Sequence, residues 1–185
     1  VKLLIFSFSY NTELELYNAL GLFESGIKIM PYIEKQFQRF SLSKIDKANL
    51  YHNIITLYFG IGNYKKSLFW TNKILNEYKE GEQRLDIYDF ARILNLIIHY
   101  EMGDREFLAY ITKSTYQFLY KKARVYTFEI LIFDFLKKIT AIENKQHIVN
   151  EFKKLKTVLN KLEKDPIEKK IFEYFDFISW VDSKI

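Results

Sequence analysis

The chain has 185 residues, no cysteine, and only 6 Gly and 2 Pro beside 17 Phe and 14 Tyr. This composition excludes a disulfide framework, a thiolate nucleophile and a Cys-based zinc site, and it is too poor in turn residues for a sandwich or barrel. The net charge of +5 sits at one end: residues 1–110 carry 13 Lys/Arg against 13 Asp/Glu, and residues 111–185 carry 15 against 10.

The opening VKLLIFSFS is apolar but short, with no small-residue cleavage site after it, so it reads as helix and not as a signal peptide. Starting inside a helix at Val1, the sequence is expected to be the C-terminal part of a longer helical array. No apolar run approaches the roughly 20 residues that span a bilayer, and a cytoplasmic protein is expected.

Gly21, Gly62 and Gly103 recur every 41 residues, each behind a stretch of apolar residues at helical spacing. A fixed period of this size is the mark of stacked helical hairpins, each burying its apolar side against its neighbours. Like residues fall in register around the glycines. Leu14, Ile55 and Leu96 share one column, and Tyr17, Tyr58 and His99 the next; Gly26, Ser67 and Leu108 follow the turn. Glycine supplies the positive φ that ends one helix, and Asn63 or Asp104 offers the N-cap of the next; Leu22 cannot cap, which makes the first turn the weakest match.

The elements in chain order are helices at 2–19 and 23–40, 47–61 and 64–79, 86–101 and 104–121, and 124–142 and 146–163. Pro31 is expected to kink the second, and YKEGEQRLD around Gly81 reads as a polar connection. The fourth turn is placed at Asn144, as a C-cap in the left-handed region. A last helix over 166–183 starts from Asp165 as N-cap, with Pro166 first and Glu168 completing a capping box. The expected fold is all-α: an α-solenoid of about four antiparallel helical hairpins (2–40, 47–79, 86–121 and 124–163), wound as a right-handed superhelix. One domain covers 1–185, closed by a C-terminal capping helix over 166–183.

The segment IITLYFGIGNYKKSLFWTNKIL resembles a tetratricopeptide repeat, through Tyr51, Ile54, Ile55 and Tyr58, then Gly62, Tyr64, Ser67 and Leu75. The whole chain resembles the long-repeat variety found in bacterial multi-hairpin proteins. It departs from the family in its period of 41 instead of 34, in lacking a closing proline after Leu75, and in placing Trp70 where the aromatic is displaced. HEAT-like repeats, which share the longer period, are the structural alternative. The resemblance implies a scaffold that holds a peptide or partner protein in a groove lined by the first helix of each hairpin. On it, the groove residues are Asn11, Glu15 and Asn18, then Asn49, His52, Thr56 and Phe59, then Ile93, Ile97 and Tyr100, and last Asp134 and Lys138. The competing reading makes them ordinary packing or solvent-facing residues. The family's carboxylate clamp is not apparent, because Phe8, His52, Phe90 and Ile93 stand at its positions.

Catalysis is not expected. The chain has no phosphate-binding glycine loop, and His52, His99 and His147 fall in different columns without the spacing or acidic partners of a metal site. His99 is expected as a buried, hydrogen-bonded imidazole. No cofactor is expected. The partner is expected to be a protein or peptide, and a peptide-sensing regulatory domain is the variant of that reading. The alternative is nucleic acid or another acidic partner on the basic segments YKKAR (120–124), LKK (136–138), FKKLK (152–156), NKLEK (160–164) and EKK (168–170). Interspersed Glu and the scarcity of Arg weigh against it.

Overall fold

A computed structural model describes residues 2–77, 85–121 and 126–185, with side chains described for 6–77, 86–104, 106–118 and 126–185. The expected connection around Gly81 and the side chains of YKKAR lie outside these residues. Among the described residues there is no strand, and the all-α expectation holds. The elements are α1 (Lys2–Ala19), α2 (Phe23–Arg39), α3 (Lys44–Gly60), α4 (Tyr64–Glu77), α5 (Leu85–Glu101), α6 (Arg105–Lys121), α7 (Thr127–Thr140) and α8 (Lys145–Leu162). A 3₁₀ turn (Glu168–Glu173) and α9 (Phe177–Asp182) follow. Two compact units, Val1–Ile98 and His99–Ile185, divide the chain within α5.

The three glycine turns are built alike. The amides of Leu22, Asn63 and Asp104 reach back five residues to the carbonyls of Tyr17, Tyr58 and His99, at 2.8, 2.9 and 3.3 Å. Gly21, Gly62 and Gly103 lie at φ 67, 72 and 73°, a region that costs a side-chain-bearing residue about 1–2 kcal/mol. Asn63 accepts from the Lys66 amide and Asp104 from the Phe107 amide, both at 3.2 Å, whereas Leu22 provides no side-chain cap. α3 begins at Lys44 because Ser43 accepts from the Asp46 amide at 3.1 Å, and α2 continues through Pro31.

The fourth turn differs from the expectation. Asn144 is extended, at φ −74° and ψ 116°, and its Oδ1 accepts from the His147 amide at 3.1 Å. It is the N-cap of α8, not a left-handed C-cap. The end of α7 is already closed by short bonds from Ala141 and Ile142 to the carbonyls of Lys138 and Ile139, so the side chain serves the orphan amides of the next helix. The N-cap interval, 41 residues between Asn63 and Asp104, is 40 between Asp104 and Asn144.

In the first unit, α3 packs against α1, α2 and α4. Leu14, Ile55 and Leu96 are all fully buried, so the column read from the sequence is a core column. Small residues sit where helices come close: the Ser67 hydroxyl donates to the Ile55 carbonyl at 3.0 Å, and a Cβ added at Gly26 would lie 2.4 Å from Leu57 Cδ1. Phe37, Tyr51 and Trp70 pack with centroids 5.1–5.8 Å apart, and burial pushes the Tyr51 hydroxyl up to about 12.

In the second unit, α7 packs against α6, α8 and the 3₁₀ turn, and α9 against α8. The expected continuous helix over 166–183 is instead a 3₁₀ turn and a short helix. Phe175 and Phe177 are both buried with rings 4.8 Å apart, and residues two apart point to nearly opposite sides of a straight helix. A break at Asp176, whose side chain accepts from the Ser179 amide, lets both rings enter the core. Asp165 does cap the segment, accepting from Ile167 and Glu168 amides at 2.8 and 3.0 Å, and these bonds hold its carboxyl below the usual range. Glu168 does not complete the box. Its carboxylate accepts instead from the amides of Thr127 and Phe128 at the start of α7, at 2.9 and 3.1 Å.

Candidate interaction surface

α1 carries apolar residues on every side, and only part of its surface is used inside the first unit. On the side facing α3, Asn53 Nδ2 donates to Asn11 Oδ1 at 2.8 Å, Asn11 donates to Glu15 at 2.7 Å, and Asn18 donates to the Asn53 carbonyl at 3.0 Å. Two of the expected groove residues, Asn11 and Asn18, therefore tie one first helix to the next.

The remaining expected residues separate. His52 and Phe59 are buried, the first edge-on to Phe90 at 5.3 Å and the second against Tyr64 at 5.2 Å. Ile93 and Ile97 are core residues. Glu15 is exposed, Asn49 and Thr56 are half-buried, and the Thr56 hydroxyl donates to its own helix at the His52 carbonyl. In the second unit, Tyr100 is half-buried against Phe152 at 6.0 Å, Asp134 is exposed, and Lys138 is exposed and donates to Glu151 at 2.6 Å. What remains accessible of the expected first-helix surface in the first unit is therefore small and polar.

A different face of α1 is open and apolar. Phe8, Leu16 and Leu20 are 76, 57 and 61% exposed, Leu22 follows at the turn, and Thr12 and Ala19 lie exposed between them. The spacing 8, 12, 16, 19 and 20 makes one stripe along the helix. Its meaning comes from the repeat. One period on, Thr12, Leu16 and Ala19 become Asn53, Leu57 and Gly60, the residues of α3 that receive the α1–α2 hairpin: Asn53 through its hydrogen bonds, Leu57 against Gly26, and Gly60 beneath the Phe23 ring. Asn53 and Leu57 are buried, and so are Leu94 and Ile98 a further period on. Leu16 alone of its column is exposed. None of the expected groove residues lies on this stripe, although the 41-residue register already pairs Leu16 with Leu57 and Ile98.

The second unit holds a cleft of about 250 Å³, lined by residues that include His99, Glu101, Asp104, Leu108, Thr140 and Lys184. Glu101 is fully engaged, accepting from Trp180 Nε1 at 2.8 Å and Lys184 Nζ at 2.6 Å. His99 is buried beside Phe107, with ring centroids 4.6 Å apart. Its Nδ1 lies 4.0 Å from Asp104 Oδ2, beyond hydrogen-bond reach, so the hydrogen bond expected of this imidazole is not made there. Burial holds the His99 pKa below its ordinary value, and the nearby Asp104 partly opposes that. No group of three or more metal-ligating side chains occurs among the described residues.

The basic segments of the second unit are partly neutralised. Lys138 and Lys154 converge on Glu151 at 2.6 and 2.8 Å, which keeps that carboxyl below its usual range, and Lys156 pairs with Asp182 at 2.6 Å. No helix among the described residues is long and apolar enough to cross a membrane. Comparisons with protein-family models, with curated proteins and with solved structures find no match to the chain.

Proposed function

We propose that the chain is a non-catalytic helical scaffold, similar in kind to tetratricopeptide repeats, whose function is to bind another protein. The observation that carries this reading is the exposed stripe on α1, in which Phe8, Leu16 and Leu20 are open and Thr12, Leu16 and Ala19 have as periodic equivalents Asn53, Leu57 and Gly60, the residues of α3 that receive a helical hairpin. A contiguous apolar stripe is costly to leave in water, and such patches mark interaction sites. The polar residues near it are occupied in holding α1 to α3, which leaves them little freedom for chemistry. Nucleic-acid binding through the basic C-terminal helices is the weaker reading, because Lys138 of α7 and Lys154 and Lys156 of α8 already end on carboxylates of the same unit.

The test is a photo-crosslinking residue in place of Leu16, compared with the same residue in place of Val158 on the exposed side of α8. A discrete protein adduct from position 16 and none from position 158 is the expected result. No adduct from position 16, or nucleic-acid adducts from position 158 alone, contradicts the reading.

A further inference from the structure

The second hairpin gathers three aromatic rings around one cation. The Lys73 ammonium lies over the rings of Trp70, Phe69 and Tyr51, at 4.9, 5.3 and 5.6 Å from their centroids. Helical spacing brings Phe69, Trp70 and Lys73 together on α4, and Tyr51 comes from α3. The rings are held in place by one another. Trp70 packs on Tyr51 at 5.1 Å and edge-to-face with Phe69 at 5.5 Å, and Phe37 packs on both Trp70 and Tyr51.

Hairpin packing does not account for this group. One period away in either direction, Lys73 becomes Tyr32 and Ser114, and Trp70 becomes Ile29 and Ile111. In the first hairpin Tyr32 packs its ring on Tyr10, the equivalent of Tyr51, with centroids 5.3 Å apart. Phe69 is 53% exposed, so its ring stands over the cation at the surface and not in the core. Among the described residues, no hydrogen bond or ion pair takes the protons of the Lys73 ammonium. Glu77, one turn further along α4, accepts from the Tyr51 hydroxyl at 3.5 Å and sets a negative charge near the rings.

A lysine ammonium is strongly hydrated, and ring faces replace none of its hydrogen bonds. Methylation removes those protons and spreads the charge over methyl groups that fit against ring faces. We infer that Tyr51, Phe69 and Trp70 form a binding site for a methylated ammonium group, which Lys73 fills until such a group displaces it. The lysine is half-buried and held by ring contacts alone, so it swings out at small cost. Glu77 then remains beside the cation that replaces it. Two sources carry this chemistry: a free quaternary amine, and the methylated lysine side chain of a partner protein. The site shares no residue with the α1 stripe.

The intact 185-residue chain is titrated with choline, N-acetyl-trimethyllysine amide, the unmethylated lysine derivative, and neohexyl alcohol, the neutral isostere of choline. Affinity is read by NMR, and nuclear Overhauser contacts from the N-methyl protons locate the site. At least one methylated ligand is expected to bind about tenfold more tightly than the unmethylated derivative and the neutral isostere, with contacts to the Trp70 and Phe69 rings. Lys73→Gln, which removes the competing cation, is expected to tighten that binding about two- to fivefold, and Phe69→Leu to weaken it by a similar factor. Melting curves of the two variants check that they fold.

Choline as the tighter ligand identifies a free amine as the source, and the trimethyllysine derivative a methylated partner. Binding of neither, equal affinity for choline and neohexyl alcohol, or an affinity that Lys73→Gln leaves unchanged each overturns the inference. A negative result here leaves the crosslink from position 16, and with it the protein-binding reading, untouched.

Discussion

The carboxylate of Glu168 accepts the backbone amide of Phe128 at 3.1 Å, across 40 residues of sequence, while its other oxygen takes the amide of Thr127. A side chain from the C-terminal 3₁₀ turn thus closes the exposed start of α7, where the helix dipole favours negative charge. Phe128 is itself fully buried between Phe172 and Phe177, so its amide has no route to water once the carboxylate is removed. Glu168→Ala should cost about 1–3 kcal/mol in urea unfolding, and Glu168→Gln, which keeps one acceptor, about half of that. The exposed neighbour Glu163 serves as control: Glu163→Ala should cost less than about 0.5 kcal/mol. Equal losses for the two alanine variants would refute the capping role.

The contact of Gly26 with Leu57 predicts coupling in a double-mutant cycle. Gly26→Ala gains up to about 1 kcal/mol of helix propensity, but its Cβ meets Leu57 and overpacking of this kind costs about 1–3 kcal/mol. The substitution should therefore destabilise the native chain. In a Leu57→Ala background the closest contact is gone and, of the three nearest atoms, only Tyr17 Cβ, 3.3 Å from the added Cβ, remains, so Gly26→Ala should cost clearly less than in the native chain or become stabilising. Thermal unfolding of the four chains gives the coupling directly; additive effects would mean that the two residues do not touch in solution.

His99 predicts the pH response of the second unit. Its folded pKa is lowered by burial, so between that value and the ordinary value of about 6.5 the unfolded chain binds more protons than the folded one. Stability is then fully present above about pH 6.5 and declines as acid is added below it. Replacing the imidazole by His99→Gln should flatten this decline in melting temperature between pH 7.5 and 5. Asp104 partly sustains the protonated ring, so Asp104→Asn, which keeps the N-cap acceptor, should steepen it. A native chain that gains stability on acidification relative to His99→Gln contradicts the assignment.

Much of this architecture is legible in the chain because backbone constraints write themselves into single residues. Gly21, Gly62 and Gly103 are where they are because the turn demands positive φ, and Asn63 and Asp104 because the following helix needs an acceptor. The C-terminal end was harder to read, since Asp165-Pro166 marks a helix start without saying that Phe175 and Phe177 must share a core two residues apart. Glu168 fits a local capping box by spacing, yet it caps a helix brought to it only by tertiary packing. The candidate surface is the least legible part. Asn11 and Asn18 look like groove residues until their partner Asn53 is seen, and Leu16 looks like core by its column with Leu57 and Ile98, yet its side chain is 57% exposed.

The account stands most directly on one column of the repeat, occupied by Leu16, Leu57 and Ile98. Urea unfolding of the three single alanine variants, at one protein concentration, separates its members. Leu57→Ala and Ile98→Ala, both fully buried in the native chain, should each cost about 2–5 kcal/mol, and Leu16→Ala less than about 0.5 kcal/mol. A loss at Leu16 as large as at Leu57 would show the α1 face already covered in the isolated protein and would contradict a stripe held open for a partner.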